Sequence, residues 1–315
     1  MTQEVRVCHF RKISIRKNGN IFPCCLAWQH TLLGNIFDEN IFETIEHKNI
    51  NCECPLFKYR NIEPNEKPEL KYLHLEFSNE CQARCVCCAQ QKEKLENEDI
   101  HLSKITEFIE RYKPENIISI GGEVLIQKKT LDWLISVKEK HPEIKFDIVT
   151  NLCVKQETLE RIKNVFDYMT VSILGFSENT YNSIMGLDFN RTLKNIDFMM
   201  NNTNTKVRLK YLLMPTNMYE MNSFLNWALS KNPEKIYLHN IREFKQIANT
   251  DEIYWQKSFV PLEKSIKKTL IDNKEKILST NKHYISVHQY ASEFLHIDDK
   301  FIDENGFTNI IKVTS

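Results

Sequence analysis

Four cysteines fall within eight positions of this 315-residue chain, Cys81-Gln82-Ala83-Arg84-Cys85-Val86-Cys87-Cys88, and three of them are spaced C-x3-C-x2-C. Thiolates are ligands for zinc and for iron–sulfur clusters, and their number separates the two. A structural zinc takes four ligands, usually as two C-x2-4-C pairs. Three thiolates hold three corners of a cubic four-iron cluster and leave the last iron free to bind a small molecule, whereas a cluster built for electron transfer alone usually takes four. The spacing selects Cys81, Cys85 and Cys88. Cys87 is available as a fourth thiolate for zinc, but its neighbour Cys88 would then point away.

Three further groups of residues carry chemical information. Gly121-Gly122-Glu123 places an adjacent pair in a chain with only seven glycines, and paired glycines let backbone groups approach a ligand with no Cβ between them. Cys8, Cys24, Cys25, Cys52 and Cys54 form a second cysteine-rich zone. Cys8, Cys24, Cys52 and Cys54 make four ligands, enough for a fully ligated second cluster or a structural zinc, and Cys25 can replace Cys24. Cys153 and His239 stand singly. Cys153 reads first as a buried thiol and His239 as a rim histidine.

The cysteine loop follows residues 71–77, whose alternation reads as a strand. Together these features resemble the radical S-adenosylmethionine (AdoMet, SAM) enzymes, over roughly residues 71–240. In that family the open iron chelates the methionine end of AdoMet. Cys87 stands where the family usually carries an aromatic residue against the adenine. Ser119-Ile120-Gly121-Gly122-Glu123 is similar to the Gly-Gly-Glu-Pro that meets the AdoMet amino group, with Val124 in place of proline. Thr150-Asn151-Leu152 resembles Thr-Asn-Gly without its glycine, which makes Asn151 a cofactor contact. Val171-Ser172-Ile173-Leu174, followed by Ile184-Met185-Gly186, resembles the fourth strand and the "ir-G" element, with Ser172 at the ribose and Leu174 where Asp is frequent. The resemblance also makes Cys153 a hydrogen-atom donor by analogy with radical AdoMet epimerases. The N-terminal pattern, Cys8, then residues 13–25 with Gly19 and Pro23-Cys24, then Leu33-Gly34-Asn35-Ile36, then Cys52-Glu53-Cys54, looks like the SPASM module or its shortened form, twitch. That module normally follows the barrel; here it precedes it.

The elements that must position these residues alternate. Strands are expected at 71–77, 116–120, 144–149, 168–174, 207–213 and 235–239, with helices at 99–112, 127–140, 155–165, 190–201 and 217–230. Six βα units in order give an α/β fold, a partial (β/α)6 barrel of the radical SAM type with ligands at the C-terminal strand ends. A small cysteine-rich β-hairpin/helix module precedes it. Its turn is signalled by Asn18-Gly19 and its helix lies at 41–48. The expected organisation is 1–60 auxiliary-cluster module, 61–70 linker with Pro64 and Pro68, 71–240 barrel and 241–315 C-terminal extension. That extension carries a helix near 261–275, a strand at 283–288 and then an irregular tail.

Lys+Arg and Asp+Glu balance at 42 each, so no bulk field draws the chain to nucleic acid or membrane. No stretch approaches the ~20 apolar residues of a membrane span, and the N-terminus has no signal core, so a cytoplasmic location is expected. The resemblance implies a 4Fe-4S cluster, AdoMet, a second (auxiliary) 4Fe-4S cluster and a flavodoxin- or ferredoxin-type reductant. It also implies reductive cleavage of AdoMet to a 5′-deoxyadenosyl radical that takes a hydrogen atom from substrate. A four-thiolate auxiliary cluster points to a net oxidation, and the resemblance to SPASM-type enzymes implies that what is modified is a ribosomally made peptide. The alternatives are dehydrogenation or epimerisation of a sugar or aminocyclitol, and a non-catalytic zinc-stabilised binding protein on a degenerate barrel.

Overall fold

The structure, a computed structural model, describes residues 3–8, 12–23, 32–47, 57–62, 70–88, 98–214, 216–240, 263–280, 284–288 and 297–314. They belong to two compact units, Met1–Cys81 with Gln90–Val149 and Val165–Asp167, and Gln82–Ala89 with Thr150–Asn164 and Tyr168–Ser315. Cys24, Cys25, Cys52 and Cys54 lie outside the described residues.

The first unit begins with β1 (Gln3–Cys8), β2 (Lys12–Ile15), β3 (Asn20–Phe22), β4 (Gly34–Asn35), α1 (Ile41–His47) and β5 (Phe57–Ile62). It continues with β6 (Tyr72–Glu76), α2 (Glu98–Tyr112), β7 (Asn116–Ile120), a 3₁₀ turn at Val124–Ile126, α3 (Lys128–Lys140) and β8 (Lys145–Thr150). β1 and β5 form an antiparallel ribbon with Cys8 opposite Phe57. β8, β7, β6 and β2 are parallel neighbours, and β3 and β4 extend the sheet antiparallel. The N-terminal hairpin is therefore part of the same sheet as β6. Its turn is where Asn18-Gly19 signals it, but the loop has three residues: Arg16 N–H donates to Asn20 O and Gly19 N–H to Arg16 O. Gly19 alone closes it in the left-handed region, at φ 82°.

Leu73, Leu75, Ile117, Phe146 and Ile148 of the strands, Ile105, Phe108 and Ile109 of α2 and Leu131 and Leu134 of α3 are all nearly without exposure. The opposite face differs. Its register row runs Ser14, His74, Ile118, Asp147, with Glu76 one row on.

The second unit contains α4 (Gln156–Ile162), β9 (Tyr168–Ile173), α5 (Glu178–Met185), α6 (Phe189–Asn202), β10 (Lys206–Leu213), α7 (Met221–Lys231) and β11 (Lys235–Asn240). Helices at 263–272 and Lys274–Leu278, β12 (Ile285–His288), a helix at Asp299–Glu304 and β13 (Ile311–Thr314) complete it. β9 to β13 are parallel neighbours in chain order. The α/β class read from the sequence is the observed one. Three details differ: an extra helix, α5, precedes α6, and the expected irregular tail holds both the helix at Asp299–Glu304 and β13. Along β10, Val207, Leu209, Tyr211 and Leu213 are buried while Arg208 and Lys210 keep contact with water. Sheets covered on both faces read as continuous apolar runs, so this alternation marks one face as reached by water. Among the described residues no helix is long and apolar enough to cross a membrane.

Candidate active site at the strand ends

In the first unit the two glycines hold the approach to Cys81. A Cβ on Gly122 would stand 2.4 Å from Glu80 O and 2.7 Å from Ser78 O, and one on Gly121 would stand 2.5 Å from Glu76 Cγ. Both glycines have positive φ, 84° and 54°. The space that Gly122 leaves is filled by the loop leading to Cys81, and the space that Gly121 leaves by the Glu76 side chain of β6. The Glu80 carbonyl, on the peptide unit leading into Cys81, accepts from Glu123 N–H at 2.8 Å and from Gln127 Nε2 at 3.3 Å. Glu80 N–H donates to Ser78 Oγ at 2.9 Å. Glu123 is fully buried, and its carboxylate caps the 3₁₀ turn by accepting from Leu125 N–H at 3.3 Å. Beneath them, buried Glu76 accepts from Arg16 Nη1 at 3.0 Å.

In the second unit the rest of the cysteine loop is pinned by backbone bonds. Arg84 N–H donates to Met185 O at 2.7 Å and Val86 N–H to Ile184 O at 2.9 Å, at the end of α5. Gly186 caps α5 in the left-handed region (φ 66°), and a Cβ there would meet Arg84 Cβ at 3.3 Å. Cys88 N–H closes a turn onto Cys85 O at 3.1 Å. Gln82 Nε2 reaches Asn151 Oδ1 at 3.0 Å and Cys153 O at 3.1 Å. Asn151 and Cys153 therefore meet the loop through Gln82. Cys153 is buried, with Sγ 3.7 Å from Asp188 O, the surroundings of a packed thiol.

Leu152 occupies the position at which the resembling pattern has glycine, and its backbone has the conformation glycine favours, φ 54°. Leu152 N–H donates to Thr150 Oγ1 at 2.8 Å, and Asn195 Nδ2 donates to Leu152 O at 2.8 Å and Val154 O at 2.9 Å. These bonds and the side chain's complete burial offset the backbone strain, about 1–2 kcal/mol for a non-glycine residue.

None of the thiols at 81, 85, 87, 88 and 153 is in a disulfide. Burial pushes the Cys87 thiol up, with Lys210 acting the other way, and burial pushes the Lys210 ammonium down. Lys210 pairs in register with Ser172, which is half-buried. His239 stacks edge-on against Tyr237, centroids 5.4 Å apart. Among the described residues no three His, Cys, Asp or Glu side chains gather on a point that a single ion would occupy. A four-iron cube spreads its ligands wider than one ion does, and a donor set of three thiols along one loop fits the cube. Sequence reading missed Gln82, Glu80 O and Lys210. The alternation Lys206, Arg208, Lys210 was the available signal for the last.

Residues 75–228 match the Radical SAM superfamily, and this stretch is a radical SAM domain. Solved structures share the fold. Streptococcus suis SuiB bound to precursor peptide SuiA aligns at TM-score 0.53 and 15% identity over 67% of this chain and 48% of that chain. The protein anSMEcpe with bound AdoMet aligns at TM-score 0.54 and 15% identity, over 69% and 64%. The same protein with AdoMet and the Cp18Cys peptide aligns at 0.53 and 15%, over 69% and 63%. The chain thus spans about half the length of SuiB, and at this identity the likeness is one of fold. No curated protein sequence matches the chain.

Proposed function

We propose that the chain is a radical AdoMet enzyme acting on a peptide. Cys81, Cys85 and Cys88 hold the 4Fe-4S cluster, and Gly121, Gly122, Glu123, Asn151 and Ser172 line the AdoMet site. When bound, these cofactors supply reductive cleavage of AdoMet and a 5′-deoxyadenosyl radical that takes a hydrogen atom from substrate. The protein's own residues position and enclose. The Glu123 and Gln127 donors fix the peptide unit ahead of Cys81, Gln82 fastens the loop to Asn151, and the α5 carbonyls hold Arg84 and Val86. The observation that carries this reading is the closure of Gly121-Gly122-Glu123 on Glu80, next to the C-x3-C-x2-C loop of a radical SAM domain.

Cys8, Cys24 (or Cys25), Cys52 and Cys54 hold an auxiliary 4Fe-4S cluster. The ribbon register supports this, because Phe57, opposite Cys8, stands three residues after Cys54 in sequence. Such a cluster, when bound, would offer a way out for the electron released in a net oxidation, and a flavodoxin- or ferredoxin-type partner would be the reductant for the cluster at Cys81, Cys85 and Cys88. The peptides bound by SuiB and anSMEcpe support a peptide substrate. The test is anaerobic reconstitution with iron and sulfide, then an assay for 5′-deoxyadenosine after dithionite and AdoMet. About eight irons per chain falling to about four when Cys81, Cys85 and Cys88 are all alanine, with deoxyadenosine lost, supports the reading. Zinc alone with no deoxyadenosine overturns it.

A further inference from the structure

The polar face of the second unit's sheet is acid-free. In β9, β10 and β11 the register sets Ser172 beside Lys210 and Lys210 beside Tyr237, and sets Thr170 beside Arg208 and Arg208 beside Lys235. Paired residues of parallel strands project from the same face, about 4.8 Å apart. None of the residues that share this face in those three strands is Asp or Glu. Below Lys210 the like charges accumulate: Arg208 and Lys312 both act on Lys235, whose ammonium is pushed down by its burial and then by theirs, with Glu234, just before β11, acting the other way. Lys210 is half-buried, and among the described residues the one titratable group acting on it is Cys87. An ammonium partly withdrawn from water with no counter-ion beside it is held at a cost, and an anion arriving beside it removes that cost.

We infer that Lys210, with Tyr237 beside it, anchors a carboxylate of the substrate, so that the peptide acted on presents an acidic side chain to this face. The chemistry follows from the donors. An ammonium with a phenol on the neighbouring strand offers two kinds of donor, and a carboxylate accepts through both oxygens at once. The inference rests on the reading that the strand-end face takes a peptide.

The experiment is calorimetric titration of the full, cluster-loaded chain with AdoMet and no reductant, so that nothing turns over. The probes are two capped tripeptides, acetyl-Gly-Glu-Gly-amide and its Gln counterpart, with inorganic phosphate as competitor. The expected result is binding of the Glu peptide at least tenfold tighter than the Gln peptide. That preference collapses to within twofold in Lys210→Met and is partly kept in Lys210→Arg. Circular dichroism and iron content establish that each variant is folded and loaded. Equal affinity for the two peptides, or a preference that survives Lys210→Met, overturns the proposal. So does phosphate displacing the Glu peptide more tightly than the peptide binds, or a parallel loss of AdoMet affinity in Lys210→Met. Deoxyadenosine formation, assayed separately on the same preparation, tells failure of this inference from failure of the enzymatic reading.

Discussion

Gly122 has two reasons to be glycine, a left-handed backbone and a carbonyl 2.4 Å from where its Cβ would stand. Gly122→Ala is expected to destabilise the protein by roughly 2–5 kcal/mol and to lower iron incorporation at the Cys81 loop, read by unfolding midpoint and iron content. Leu152 reverses the ordinary order of substitutions. Alanine loses the buried side chain and keeps the strained φ, whereas glycine loses the side chain and relieves the strain. Leu152→Gly is therefore expected to be more stable than Leu152→Ala by about 1 kcal/mol; the opposite order in urea denaturation would rule the strain out. His74 reports on pH. Burial and then the charge of Lys12 lower its pKa from 6.5 to about 4. Between those values the unfolded chain binds a proton there that the folded chain does not, so stability falls as pH drops through this window and is unaffected above it. The wild type is expected to lose about 2 kcal/mol between pH 7 and pH 5 that His74→Gln does not lose, measured by urea midpoints of the two proteins.

The loop's second half depends on α5, and α5 depends on Glu220. The Glu220 carboxylate accepts from Phe176 N–H and Ser177 Oγ at 2.5 Å each and from Thr180 Oγ1 at 2.7 Å, holding the first turn of the helix whose last carbonyls bind Arg84 and Val86. Glu220→Ala is expected to cost roughly 2–4 kcal/mol, since three donors lose a charged acceptor. Hydrogen exchange at the Arg84 and Val86 amides should quicken; unchanged protection there would show that the loop does not lean on α5. Strands β6 to β11 were legible because each has an apolar face of period two. α5 was not, because its eight residues sit between a strand and a longer amphipathic helix with no break in polarity. β13 was hidden for a related reason, since Ile311–Thr314 is too short to show a period.

Cysteine count connects the local chemistry to the chain as a whole. Replacing both Cys52 and Cys54 with alanine is expected to lower iron from about eight to about four per chain while the Cys81 loop still cleaves AdoMet; a constant iron count would place no cluster on the N-terminal cysteines. That the chain carries a radical SAM domain followed from sequence alone, because C-x3-C-x2-C and Gly121-Gly122-Glu123 are local signals whose chemistry depends on spacing along the chain. So did the α/β class, which depends on periodicity. The tertiary structure decided what those signals touch. It showed that the glycine pair makes room for the Glu80 carbonyl, that Leu152 adopts the glycine conformation, and that β2 joins the sheet beside β6. It also showed that Lys210 stands beside Ser172 on a face without acids. Each of these is a relation between residues far apart in sequence, set by strand register and side-chain packing, and neither composition nor local spacing encodes register.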